Sequence, residues 1–129
     1  MTQVLEAQDE KQKILVVDDH SIVRRGFATL INQQRDMVVC GEAENAEEAL
    51  KQIEGCRPDL AIVDLSLKES TSGIDLIREI KRQHPGIPVL VVSMHDENLY
   101  TERALRAGAK GYIMKQEVDS EMIRAIRCV

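Results

Sequence analysis

Five residues stand where this sequence could do chemistry. Adjacent Asp18 and Asp19 follow the apolar run ILVV, Asp64 follows LAIV, Ser93 follows VLVV, and Lys115 follows GYIM. If each run is a strand, all five side chains sit at strand ends, and segments distant in sequence converge on one crevice. Three carboxylates against one lysine leave a formal charge of −2 there, which a divalent cation would cancel. Hard oxygen donors suit Mg²⁺, which takes one or two carboxylates, keeps several waters and leaves positions open for a phosphate. A carboxylate in that setting can attack phosphorus and form an acyl phosphate. The metal and Lys115 would offset charge on the transferring phosphoryl group, and Ser93 could donate a hydrogen bond to one of its oxygens.

The elements that must position these groups follow from the periodicity. Residues 14–17, 37–40, 60–63 and 89–92 are uninterrupted apolar or β-branched runs, with a shorter one at 112–114. Continuous rather than alternating runs fit strands covered on both faces, as in a parallel sheet. Between them the spacing is helical: Ile22, Val23, Phe27, Leu30 and Ile31 share one face, as do Ile74, Ile77 and Ile80. A further helix over 96–107 is only weakly apolar, and Val118, Met122, Ile123 and Ile126 mark a last one. Glycines and prolines at 41, 55, 58, 73, 85–88, 108 and 111 fall where the period changes. Five βα units with right-handed crossovers form an open doubly wound sheet. Ligands of that architecture bind beyond the carboxyl ends of the strands, where strand order reverses.

The 129 residues, 43% hydrophobic and 30% charged, fit one domain with a single core and no room for a second. Residues 1–12 form a polar, flexible lead-in, without the basic start and apolar stretch of an export signal, and no run is long enough to cross a bilayer. A cytoplasmic location is the expectation. Three cysteines without Cys-x-x-Cys spacing suggest neither a disulfide framework nor a zinc site. A net charge of −5 with scattered basic residues argues that this segment does not itself bind nucleic acid. The final helical pattern breaks off at IRAIRCV, which suggests a chain that continues in its natural form.

With DD at 18–19, LAIVDL around Asp64, VVS at Ser93 and KGYIMK around Tyr112 and Lys115 in order, the chain resembles the receiver domain of a bacterial two-component response regulator over residues 13–129. DDHSIVRRGF, DLSLK and AGAKGYIMK are most similar to the NarL/FixJ branch, whose members usually carry a C-terminal LuxR-like helix-turn-helix. The resemblance implies an α/β, flavodoxin-like five-stranded parallel sheet of order 2-1-3-4-5 with helices on both faces. It implies that Asp64 accepts a phosphoryl group from a phosphohistidine of a sensor kinase. Asp19, Asp64 and the Ser66 carbonyl would ligate Mg²⁺, with Asp18 acting through a water. Ser93 and Tyr112 would be the switch pair, and Ser66 and His95 would tune hydrolysis of the acyl phosphate. The implied output is transcription through a DNA-binding domain absent from this chain, with homodimerisation on phosphorylation; the alternative is a stand-alone receiver working by protein contact or phosphorelay. Gln116 and Lys68 stand where many receivers have proline.

Plainer readings exist for several of these residues. An aspartate pair at a strand end is by itself more often a helix cap, and Ser93 could cap the following helix. His20 and His95 read as surface residues, and Arg24-Arg25 as the solvated face of the first helix. A phosphatase with an aspartyl nucleophile would need Asp-x-Asp after the first strand. A nucleotide or flavin site would need glycines there, where this chain has DDHS.

Overall fold

The computed structural model of the protein describes residues 11–65, 73–93, 98–114 and 118–129. Strands β1 (Gln12–Val17), β2 (Met37–Ala43), β3 (Leu60–Asp64), β4 (Val89–Ser93) and β5 (Gly111–Met114) alternate with helices. These are α1 (Ser21–Asn32), α2 (Ala46–Cys56), α3 (Gly73–Gln83), α4 (Asn98–Ala107) and α5 (Val118–Cys128). The strands form one parallel sheet in the order β2-β1-β3-β4-β5. This is the expected doubly wound order, with β1 and β3 at the point where the chain reverses direction across the sheet.

The uninterrupted apolar runs have the predicted cause, since every residue of β3 and β4 is buried. On one face Ile14, Val16, Ile62, Leu90 and Val92 pack against Phe27 and Ile31 of α1 and Met122 and Ile126 of α5. On the other, Leu15, Val17, Val63 and Val91 pack against α2 (Ala49, Ile53), α3 (Leu76, Ile77, Ile80) and Ala104 of α4. Ile22 departs from its expected face and is 85% exposed. At about 100° per residue it lies a quarter-turn from Val23 and off the stripe defined by Phe27 and Ile31.

The second strand also departs from expectation, because it runs through Gly41 to Ala43 instead of stopping before the glycine. Ile14 pairs with Val39 and Leu15 with Gly41, so Cys40 is an extra residue on β2, a β-bulge on the edge strand. The bulge shifts the alternation by one. Ala43 thereby enters the core on the α2 side, while Glu42 meets Arg24 of α1. Downstream, the Asn45 side chain caps α2 by accepting from the Glu48 N–H at 2.9 Å. The helix passes through Gly55 and ends at Arg57, whose φ of 48° is left-handed.

Candidate functional site

The β1–α1 turn is built by backbone ties. The Asp18 N–H donates to the Ala43 carbonyl at 3.0 Å, bracing the turn on the end of β2. The Asp18 Oδ1 accepts from the His20 N–H at 2.8 Å, folding the chain back on itself. Helix α1 then begins with His20 as its N-cap and no side-chain cap bond, so the aspartates do not serve as its caps. Arg24 reaches back from α1, donating through Nη1 to the Asp18 carbonyl at 2.7 Å and through Nε to Glu42 Oε1 at 3.0 Å. Its side chain is only 16% exposed; it is a brace for the acidic turn and not part of a solvated face.

Asp64 ends β3, with the next N–H, that of Leu65, donating to the Val92 carbonyl at 3.1 Å. Gly73 opens α3 directly against this backbone. A Cβ there would lie 2.7 Å from the Asp64 carbonyl oxygen and 2.7 Å from Leu65 Cα. The sequence offered Gly73 only as a boundary; the close approach of α3 to the Asp64 backbone is what requires glycine.

Asp18, Asp19 and Asp64 converge as the sequence predicts, and His20 joins them, each offering a ligand atom within 4.8 Å of the others. Asp18 and Asp64 are essentially buried, while the Asp19 side chain keeps 15% of its exposure. His20 is half-exposed, with Nδ1 3.2 Å from Asp18 Oδ1 and 3.0 Å from Asp19 Oδ1. The His20 ring therefore belongs to the cluster, a placement that tertiary folding decides. Hard carboxylate oxygens converging in a largely buried crevice are a donor set that fits Mg²⁺.

Ser93 is the last residue of β4 and is buried. Tyr112 pairs with Val91 and Met114 with Ser93. Ser93 and Tyr112 thus project from neighbouring strands on the same face, the tyrosine half-buried against the core on the α2, α3 and α4 side. Ser66, His95 and Lys115, together with Lys68 and Gln116, lie outside the described residues. A separate surface cleft of about 670 Å³, lined by Ile53, Arg57, His84 and Ile87 among others, opens at the opposite ends of the strands, away from these groups.

Comparison with known proteins agrees with this geometry. The family model of the response regulator receiver domain matches residues 14–127. The oxygen regulatory protein NreC of Staphylococcus epidermidis is 38% identical over 117 residues, which is 91% of this chain and 54% of that protein. A LuxR-family two-component response regulator from Aurantimonas sp. SI85-9A1 superposes with a TM-score of 0.86 at 33% identity, covering 92% of this chain and 84% of that one. The receiver domain of NarL from Mycobacterium tuberculosis superposes with a TM-score of 0.86 at 28% identity, covering 92% and 95%. The chain belongs to the response regulator receiver domain family, whose members are phosphoacceptor signalling domains that work with sensor kinases and bind Mg²⁺ at an acidic cluster. Its likeness to NreC, NarL and LuxR-family regulators places it in the NarL/FixJ branch. It spans about half the length of the curated relatives it matches. Among the described residues no helix is long and apolar enough to cross a membrane.

Proposed function

We propose that Asp64 is the phosphoacceptor of this receiver and that a sensor kinase phosphohistidine is its donor. The observation that carries this reading is the convergence of Asp64 with Asp18 and Asp19 at the carboxyl edge of the sheet. An Asp64 carboxylate oxygen attacks phosphorus, the P–N bond to the donor imidazole breaks, and an acyl phosphate forms on Asp64. Asp19, Asp64 and the Ser66 carbonyl would hold Mg²⁺, and Asp18 would contribute through a water. When bound, the ion supplies neutralising charge to the transferring phosphoryl group. Lys115 adds a second positive charge. The Ser93 hydroxyl donates to a phosphoryl oxygen, and Tyr112, on the same face one strand away, turns into the space that this movement leaves. Ser66 and His95 set the rate at which water removes the phosphoryl group, so the domain resets itself and turns over no separate substrate.

The output follows from the relatives, regulators named for oxygen response and for the LuxR family. Phosphorylation promotes homodimerisation in the cytoplasm and controls transcription through a DNA-binding domain beyond this segment; a stand-alone receiver acting by protein contact is the second reading. Incubation with acetyl phosphate and Mg²⁺ should add the mass of one phosphoryl group, and Asp64→Asn should remain unmodified. A wild-type chain that takes up no phosphate, or one modified equally well in the Asp64→Asn variant, overturns the assignment.

A further inference from the structure

The β1–α1 turn decides where the His20 ring goes. The His20 N–H donates to Asp18 Oδ1 at 2.8 Å, which pins the backbone of residue 20 over the acidic pair. The side chain makes no cap bond to α1, so the ring is given to the carboxylates and not to the helix. Its Nδ1 lies 3.2 Å from Asp18 Oδ1 and 3.0 Å from Asp19 Oδ1. The first contact is a hydrogen bond. The second is not, since Asp19 Oδ1 is buried and accepts no hydrogen bond among the described residues. Two donor atoms held 3.0 Å apart without a shared hydrogen are placed to share a cation. Neighbouring ligands of an octahedral ion with bonds of about 2.1 Å lie about 3.0 Å from each other, which is the separation of Nδ1 from Asp19 Oδ1. We propose that His20 Nδ1 is a further ligand of the cation at this site, in a position that Mg²⁺ leaves to water, and that it biases the site toward a borderline transition-metal dication.

The inference rests on the reading of Asp19 and Asp64 as metal ligands and adds a nitrogen to their oxygens. That addition changes which ion is favoured. Mg²⁺ is hard and keeps carboxylates and water, whereas neutral imidazole suits first-row transition dications such as Co²⁺, Ni²⁺ and Zn²⁺. Carboxylates alone discriminate by charge and size. One imidazole makes donor softness count as well. For His20 to ligate, the hydrogen on Nδ1 leaves to water and Nε2 takes up another, so the ring stays neutral. The half-exposed side chain gives water that access. Asp18 loses its hydrogen bond from the ring but keeps the one from the His20 N–H, so the turn holds while the ring changes role.

The test uses the whole chain carrying Cys128→Ser, which removes the exposed thiol, and two bare cations, Co²⁺ and Mg²⁺. Bound Co²⁺ should move a solvent-exchangeable imidazole N–H proton resonance far outside the ordinary spectral range, and His20→Gln should abolish that signal. Calorimetric titration should show Co²⁺ binding at least about tenfold weaker in His20→Gln, since loss of even a supporting group at a metal site costs roughly 10–100-fold. Mg²⁺ affinity should change by less than about threefold, water replacing water in its shell. The resonance in the chain that retains His20 gives a reading independent of how well the variant folds. Absence of a shifted imidazole signal with Co²⁺ bound, a signal that survives His20→Gln, or equal losses for both cations overturns the proposal and leaves Asp19 and Asp64 as ligands. Failure of both cations to bind, or unchanged binding of both in Asp19→Asn, overturns the metal-site reading and this proposal with it.

Discussion

Replacing Asp19 with asparagine should make the metal-free protein more stable while weakening its hold on Mg²⁺. The three carboxylates present oxygens within 4.8 Å of one another. At an effective dielectric constant of about 20, two unit charges at that distance repel by roughly 3.5 kcal/mol. Asp19→Asn removes two of the three pairwise repulsions. The gain is smaller than their sum, because the Asp19 side chain keeps some solvent contact and lies 3.0 Å from His20 Nδ1. A net stabilisation of about 1–3 kcal/mol in chelator is expected, a rise in Tm of roughly 4–12 °C for a domain of this size. Added Mg²⁺ should reverse the ranking of increments: ligand binding stabilises as the logarithm of saturation, and a tenfold loss of affinity lowers the increment by about 1.4 kcal/mol. Urea unfolding in EDTA and across a Mg²⁺ titration measures both quantities. A variant that is no more stable than wild type in EDTA and gains as much from Mg²⁺ would refute the reasoning, since mutual repulsion relieved by a cation could not then be what the cluster embodies.

Arg24→Ala should cost about 1–2 kcal/mol by removing the donor to the Asp18 carbonyl and should lower Mg²⁺ affinity several-fold, read by urea unfolding and by metal-dependent Tm; Arg24→Lys, without the two-pronged fork, should recover only part of either. Gly73→Ala should slow phosphorylation by acetyl phosphate at least tenfold, because the new methyl must displace the Asp64 and Leu65 backbone from a contact of 2.7 Å; an unchanged rate would mean that α3 yields instead. The Asp36 carboxyl is held below its usual value, chiefly by its hydrogen bond to Arg127. This interaction is present above the ordinary aspartate range and is lost as pH falls through the lowered folded value. Arg127→Met should therefore destabilise by under about 1 kcal/mol at pH 7 and by progressively less below about pH 4, both side chains being at least half exposed.

The architecture and the acidic triad were legible because they rest on local regularities. Uninterrupted runs such as LAIV mark a strand buried on both faces wherever they occur, and a carboxylate that follows such a run stands at the carboxyl edge of the sheet. Once alternating strands and helices require a doubly wound sheet, Asp18, Asp19, Asp64 and Ser93 are committed to one edge by chain order alone. Where reading by period failed, a tertiary contact outweighed it. Gly41 looked like the end of a strand and is instead beside the bulge that re-phases β2, because glycine relaxes steric limits in turns and bulges alike. Ile22 matched a helical stripe only loosely, since the stripe's true centre is set by where the sheet lies and not by the helix itself.

The sequence by itself determined the alternation of strands and helices in a doubly wound sheet, the buried faces and the meeting of three carboxylates, since side-chain period and crossover handedness are properties of the chain, while the strand order 2-1-3-4-5 came from the family resemblance. Only the tertiary structure decided that Arg24 turns inward to brace Asp18, that His20 leans into the acids, and that Gly73 must be bare beside Asp64. Each of these depends on distances between elements, and such distances arise from packing against neighbours that no local pattern encodes.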